Sequence, residues 1–234
     1  GSAVGLDKDI MKRILRDGGY HVAPSITVRS NQIDTIDYQA IVDDLGHELF
    51  IKPVHLGSSV GVSYVEDEES FKKGIELAFK YDHKVLIEQK IIGRELECAV
   101  LGNLDVDAST VGEVVAHSGW YSFESKYLDE NDSSLHIPAK IPKELIEKIR
   151  EAAMGAFTLL ECRGLARVDV FLQEDNQIFI NEVNTMPGFT NISMFPKLWE
   201  HSGLDNQGLI TKLIQLAIQE NDSMNQLQIS NQLN

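Results

Sequence analysis

The stretch GLARVDVFLQEDNQIFINEVN, residues 164–184, reads as two strands joined by a polar turn. Along the first arm, Ala166, Val168, Val170 and Leu172 alternate with Leu165, Arg167, Asp169 and Phe171. Along the second, Phe179, Asn181 and Val183 alternate with Ile178, Ile180, Glu182 and Asn184. A side-chain period of two puts each set on one face of its strand. Glu174-Asp175-Asn176-Gln177 forms the connection, with Asp175-Asn176 at its tip. An even-numbered turn centred there sets Asp169 opposite Glu182 and Arg167 opposite Asn184, with paired Cβ atoms roughly 5 Å apart. Directly opposed carboxylates destabilise an ordinary sheet, and a cation between them removes the penalty. Asp, Glu and Asn are hard oxygen donors, suited to Mg²⁺ or Mn²⁺ and poor for soft metals. Two alternatives stay open on these residues alone. Arg167 can neutralise both acids in a surface ion network, and an odd-length turn or a bulge would break the pairing.

The rest of the chain supplies a setting for such a hairpin. Its 234 residues suffice for one large domain or two small ones, and 43% hydrophobic with 24% charged residues is the composition of a globular protein. No apolar run reaches the roughly 18–20 residues that span a bilayer, and no basic-then-apolar leader opens the chain, so a cytoplasmic protein is expected. The formal net charge of −15, from 36 acidic and 21 basic residues, argues against a nucleic-acid partner, whose phosphates would be repelled. It leaves room for a nucleotide held by a local cluster of cations. Cys98 and Cys162 fit no metal spacing and read as buried free thiols.

Apolar spacing predicts helices over residues 6–16, 67–81, 143–160 and around Leu209–Ala217, and strands over 22–28, 49–53, 62–65, 84–88 and 94–101. A polar stretch, 31–46, reads as a helix with loops, and a Trp- and Tyr-containing loop runs from His117 to about residue 131. The Asn-, Gln- and Ser-rich tail after Glu220 has no apolar period and is expected to be disordered. No internal repeat is present.

Several features are compatible with phosphate binding, each weak by itself. Lys52 ends an apolar strand and is followed by Pro53 and then by Gly57-Ser58-Ser59-Val60-Gly61, whose small residues let backbone N–H groups approach phosphate oxygens. The loop lacks a Walker ending, and no G-x-G-x-x-G occurs; alone it reads more readily as an ordinary flexible hairpin loop. Lys8 sits one turn into the first helix and Lys126 precedes Tyr127 in the long loop, where a solvated lysine is the bland alternative. Glu88 ends an apolar strand, with Glu95 seven residues on, a crossing able to hold adenine through backbone groups and ribose through a carboxylate. No Ser–His–Asp, Cys–His or H-E-x-x-H arrangement is present.

In this order, Phe50-Ile51-Lys52-Pro53, the 57–61 loop, Lys126-Tyr127, Gly164 to Asp169 and Asn181-Glu182-Val183-Asn184-Thr185-Met186-Pro187-Gly188 resemble the D-alanine–D-alanine ligases. The resemblance runs from about Asp7 to Glu220. It implies an α+β ATP-grasp fold in which two α+β subdomains, residues 8–95 and 96–220, grip ATP between them, with residues 1–7 a linker and 221–234 the tail. By the same resemblance, Lys8 and Lys52 hold ATP phosphates, and Glu88, Gln89, Ile91 and Glu95 form the adenine- and ribose-binding segment. Gln89 stands where the family often has lysine. Lys126 reaches the γ-phosphate, Asp169, Glu182 and Asn184 ligate two Mg²⁺ or Mn²⁺, and Arg167 stabilises developing negative charge. Ser193, assisted by backbone from Gly188, holds the second substrate's carboxylate. Tyr127, hydrogen-bonded to Ser58, accompanies dipeptide formation, although Trp120-Tyr121-Ser122-Phe123 departs from the family's commoner pattern.

The implied activity is ATP-dependent joining of two D-alanines through a D-alanyl phosphate, a step of peptidoglycan precursor synthesis. A D-lactate or D-serine acceptor, or a nucleotide-binding fragment without catalysis, are the alternatives. Members normally carry a further N-terminal domain before the segment matching Gly1, which completes the first D-alanine site. The chain alone is therefore expected to bind nucleotide and metal with little ligase activity, and to be monomeric where the full-length family is commonly dimeric.

Overall fold

The computed structural model describes residues 1–116, 133–190 and 192–227. The elements run α1 (Ser2–Leu6), α2 (Lys8–Asp17), β1 (Ser25–Arg29), a 3-10 helix (Ser30–Thr35), α3 (Tyr38–Leu45), β2 (Leu49–Pro53), β3 (Ser63–Val65), α4 (Glu68–Ala78) and β4 (Lys84–Gln89). They continue with β5 (Arg94–Gly102), β6 (Val106–Ala116), β7 (Ser133–His136), α5 (Lys143–Leu159), β8 (Gly164–Leu172), β9 (Ile178–Asn184), α6 (Met194–His201) and α7 (Asn206–Asn225). The strands form two sheets, ordered β1-β4-β2-β3 and β7-β6-β5-β8-β9, with antiparallel ladders throughout. This is an α+β architecture. Among the described residues no helix is long and apolar enough to cross a membrane.

Alternating burial dictates the layers. In the first sheet Leu49, Ile51, Val85 and Ile87 point to one side, where Ile41 and Leu45 of α3 and Phe71, Ile75 and Ala78 of α4 cover them. In the second, Leu96, Cys98, Val100, Ala166, Val168 and Val170 face the stripe Leu145, Ile149, Ala153, Ala156 and Phe157 of α5. Burial pushes the Cys98 thiol up to about 12 and raises that of Cys162 as well, so both thiols stay protonated at neutral pH. The opposite face of this sheet changes character along its strands. At one end Ala99, Leu101 and Leu165 lie beneath Phe195, Leu198 and Trp199 of α6 and Leu209 and Leu216 of α7. Further along come Arg167, Asp169, Glu97 and Glu182.

Three features differ from the sequence reading. Residues 2–6, expected as linker, are helical, and α2 buries Met11 and Leu15 in the core of the second sheet while Asp7, Asp9 and Lys12 pair with β4 of the first. The tail boundary at Glu220 is crossed by α7, which continues to Asn225; Ile210 and Ile214 of this helix are exposed. Strand β6 escapes a period-two search because Ser109 is buried in it, accepting a hydrogen bond from Ala99 N at 3.0 Å beside a register shift between Cys98 and Val100. Gly112 interrupts it further: a Cβ there would come within 2.8 Å of Met194 Sδ, so α6 can approach the sheet only at a glycine. The long loop from His117 to residue 131 lies outside the described residues.

The β8–β9 hairpin departs from the sequence reading in an instructive way. Next to the turn the register is odd: Leu172 faces Ile178, Phe171 faces Phe179 and Val170 faces Ile180. A shift between Asp169 and Val170 leaves Asn181 as an extra residue, after which Asp169 faces Glu182, Val168 faces Val183 and Arg167 faces Asn184. The bulge therefore restores the pairing that the odd turn would have lost. It also puts both Ile180 and Val183, three residues apart, into the core. Ile180 thus does not share a face with Glu182, as strict alternation would have it.

A buried ion network fastens α2 to both sheets. Lys12, 3% exposed, has its Nζ 2.6 Å from Glu88 Oε1 and donates to Asn181 O at 3.0 Å, while Lys52 Nζ holds Glu88 Oε2. The Lys12–Glu88 contact is an ion pair by distance rather than an aligned hydrogen bond. Nearby, buried Lys84 Nζ pairs with Asp7 at 2.9 Å and with Asp9 at 2.7 Å, and Asp7 also caps α2 by accepting from Ile10 N at 3.0 Å. Burial alone would raise the Glu88 carboxyl, but the Lys12 and Lys52 ammonium groups outweigh it and hold it at about 2. Because this lies below the ordinary 4.5, the stabilisation is complete above pH 4.5 and is lost as pH falls toward about 2. Glu88→Gln strands the buried Lys12 ammonium and removes the partner of half-buried Lys52, and should cost about 3–5 kcal/mol at neutral pH. Urea unfolding checks both points: the wild-type midpoint should fall between pH 4.5 and 2, and the variant should lose less across that window.

Candidate functional site

A cleft of about 560 Å³ opens between the two sheets. Lys8, Lys52, Ser58, Glu88, Gln89, Ile91, Glu95, Asp169 and Glu182, all singled out from the sequence, line it together. They come from α2, β2, the loop after it, β4, the 90–93 crossing, β5, β8 and β9, so only the packing of the two sheets brings them to one place.

At one end the cations gather. Lys8 opens α2, where its Nζ donates to Leu56 O at 2.6 Å and stands 3.9 Å from Glu182 Oε2. Burial lowers the Lys8 pKa, with Glu182 opposing the shift. Lys52, in β2, lies over the Phe50 ring at 5.5 Å as well as against Glu88. In the loop between β2 and β3, Ser58 and Ser59 adopt φ of 55° and 58°, a left-handed conformation that L residues avoid. Each such residue costs on the order of 1–3 kcal/mol, and such strain concentrates at ligand-gripping segments.

Facing these cations are the acids of the second sheet. Glu97 of β5 is the cross-strand neighbour of Asp169, which in turn faces Glu182. Arg167 forks onto Asp169 with two contacts of 2.7 Å and reaches Glu97 Oε2 at 2.9 Å. Burial would lower the Arg167 pKa, but Asp169 and Glu97 outweigh it and raise it, so the guanidinium is charged at all relevant pH. Asn184 Nδ2 donates to Asp169 Oδ2 at 3.1 Å and to Glu182 Oε1 at 3.0 Å. The neutralising role of Arg167 is thus directed at Asp169 and Glu97, inside the site rather than on the surface.

This donor set fits a hard divalent cation. Two carboxylates stand opposed on adjacent strands and the Asn184 side chain reaches both of them. Rotation of its amide would offer a third oxygen. Among the described residues no group of three or more His, Cys, Asp or Glu is arranged to hold a metal ion, here or elsewhere, so the donor set rests on two carboxylates and the Asn184 amide.

The remaining candidates are placed less centrally. Arg167 and Asn184 stand beside the cleft lining through their contacts with Asp169 and Glu182. Ser193 precedes α6, and its Oγ accepts from Thr190 N at 3.0 Å. Gly188 packs so closely on it that a Cβ would lie 2.8 Å from Ser193 Oγ. Lys126 and Tyr127 lie outside the described residues. Two buried groups escaped the sequence reading. Glu97 was detectable as a carboxylate inside an otherwise apolar strand core, and Lys12 as a cation one helical turn after Lys8, beside the apolar stripe of α2. The Glu88 carboxylate, assigned from resemblance to nucleotide binding, is engaged by Lys12 and Lys52, so its direct influence falls on Lys52.

Comparison with known proteins places this geometry. The family model described as D-ala D-ala ligase C-terminus matches residues 14–215. The D-alanine–D-alanine ligase of Shouchella clausii is 54% identical over 230 residues, 98% of this chain and 62% of that protein. Ligase A of Escherichia coli K12 is 50% identical over 226 residues, 97% of this chain and 62% of that protein. Among solved structures, the D-alanine-D-alanine ligase of Coxiella burnetii superposes with a TM-score of 0.81 at 38% identity, covering 95% of this chain and 60% of that one. The VanG D-Ala:D-Ser ligase of Enterococcus faecalis does so with 0.83 at 35% identity, covering 92% and 62%. The chain spans about three fifths of the length of the curated relatives it matches. Its two-sheet α+β architecture is the ATP-grasp fold, and the chain belongs to the D-alanine–D-alanine ligase C-terminus family.

Proposed function

We propose that this chain is the ATP- and metal-binding catalytic part of a cytoplasmic enzyme that joins two D-alanines, with ATP as co-substrate, for peptidoglycan precursors. The observation that carries the reading is the meeting of phosphate-type cations with metal-type acids: Lys8 Nζ lies 3.9 Å from Glu182 Oε2 at the end of the cleft where Lys52 also points. Names of relatives at 50% identity or more support the choice of D-alanine.

In this reading a carboxylate oxygen of the first D-alanine takes the γ-phosphoryl of ATP, the β–γ phosphoanhydride bond breaks and ADP is left. The amine of the second then attacks the acyl carbon, and phosphate leaves from the tetrahedral intermediate. The protein supplies no nucleophile, so positioning and charge neutralisation carry the catalysis. Lys8 and Lys52 hold the phosphates, and Lys126 joins them at the γ-phosphoryl. Gln89, Ile91 and Glu95 receive the adenine and ribose, with Glu88 fixing the neighbouring Lys52. Asp169, Glu182 and Asn184 would hold two Mg²⁺ or Mn²⁺, which supply Lewis-acid neutralisation of the phosphate oxygens. Arg167, beside Asp169, faces the charge that develops on the acyl phosphate. The Ser193 hydroxyl and the Gly188 backbone hold the carboxylate of the second D-alanine.

D-Serine as acceptor is the second reading, favoured by the likeness to the D-Ala:D-Ser ligase structure. Tyr127, by hydrogen bonding to Ser58, is the residue proposed to favour D-alanine. Phosphate release by the full-length protein with D-alanine, D-serine and D-lactate decides between them. D-alanine should be preferred, and Tyr127→Phe should narrow that preference; unchanged selectivity in the variant would remove Tyr127 from acceptor choice. The metal assignment has its own test in calorimetric titration of Mn²⁺·ADP. Combined Asp169→Asn and Glu182→Gln should weaken binding by about 100-fold or more, beyond the roughly 10–100-fold typical of losing an outer partner. Retained affinity would place the metal elsewhere.

A further inference from the structure

We propose that Lys12 is a positioning residue that sets the distance between the phosphate-binding lysine of the first sheet and the acid strand of the second. The inference rests on the metal–nucleotide reading of the cleft. Lys12 does not line that cleft, and at 3% exposure it cannot serve as a solvated surface charge. A buried ammonium is tolerated only when it is paired and hydrogen-bonded. Here the partners belong to both halves of the site. Glu88 Oε1, 2.6 Å away, is on β4, and the other oxygen of the same carboxylate holds Lys52 Nζ. The Asn181 carbonyl, accepting at 3.0 Å, belongs to the bulge residue immediately before Glu182. A single chain of contacts thus runs from Lys52 through Glu88 and Lys12 to the backbone that aims Glu182.

Docking of α2 does not require this lysine, because Met11 and Leu15, both fully buried, already seat the helix in the core. What Lys12 adds is a fixed span. A bulge re-aims the side chains that follow it, and this bulge has its own carbonyl held from outside the sheet. Lys8, one turn earlier on α2, stands 3.9 Å from Glu182 Oε2, so the helix touches both the Glu182 side chain and the backbone residue before it. Supports of this kind typically change metal affinity by 10–100-fold when they are removed.

The test compares Mn²⁺·ADP and adenosine binding by the 234-residue chain, using calorimetry together with the electron paramagnetic resonance of bound Mn²⁺. Lys12→Met should lower Mn²⁺·ADP affinity by roughly 10–100-fold and alter the bound-metal spectrum, while adenosine affinity stays within about twofold of wild type. Equal Mn²⁺·ADP affinity in the folded variant overturns the proposal. So does an equal loss for both ligands, which marks general damage to the fold. If the methionine variant does not fold, Lys12→Arg decides, since it keeps the charge and lengthens the arm. A fixed-span role predicts weaker Mn²⁺·ADP binding with adenosine spared, and wild-type affinity for both ligands refutes it. Failure of the wild-type chain itself to bind Mn²⁺·ADP would overturn the underlying reading of the cleft, and this inference with it.

Discussion

Three carboxylates stand abreast on neighbouring strands of the second sheet: Glu97 on β5, Asp169 on β8 and Glu182 on β9. At cross-strand spacing of about 5 Å, each adjacent pair repels by about 3 kcal/mol at an effective dielectric of about 20. A sheet with that arrangement holds only if positive charge is supplied from nearby. Arg167 supplies it from within β8 by bridging Asp169 and Glu97, and Lys8 supplies it from α2 toward Glu182. The position of α2 follows from this demand as much as from its apolar stripe. Its first turn carries Lys8 to the acids, its second buries Lys12 against Glu88, and its cap, Asp7, is tied to Lys84 of the first sheet.

The two sides of the cleft thereby differ, with Glu88 of the first sheet held by Lys12 and Lys52 and Arg167 of the second held by Asp169 and Glu97. The first sheet and its loop bring Lys52 and the strained Ser58-Ser59 turn, while the second brings the acids and Arg167. The proposed phosphoryl transfer would use this arrangement, because phosphate oxygens seek cations while a divalent ion seeks carboxylates. The apolar end of the same sheet face is sealed by α6 and α7, so the charged end is the part left to face a ligand.

Most of the fold was legible where one residue type repeats with a clean period. The α5 stripe from Leu145 to Ala156 and the alternation of β8 fall where periodicity places them. Strand β6 was not legible, since buried Ser109 and the close approach at Gly112 each replace the apolar residue that a pattern search needs. The hairpin shows how a correct pairing can stand on incomplete geometry. Asp169 does face Glu182, but through an odd turn corrected by the Asn181 bulge, and a bulge leaves no mark in a binary pattern. The site was legible as a set of residue types in order. The Lys12–Glu88–Lys52 network was not, because its members lie up to 76 positions apart in sequence and meet only when the first sheet packs on α2.

The account stands most directly on where a divalent ion binds. Crystals of the chain grown with Mn²⁺ and ADP, measured at a wavelength that reveals manganese by anomalous scattering, would locate it. The predicted result is a peak about 2.0–2.3 Å from oxygens of Asp169 and Glu182, with Asn184 turned to present its carbonyl. Nucleotide bound in the cleft with manganese away from both carboxylates would contradict it.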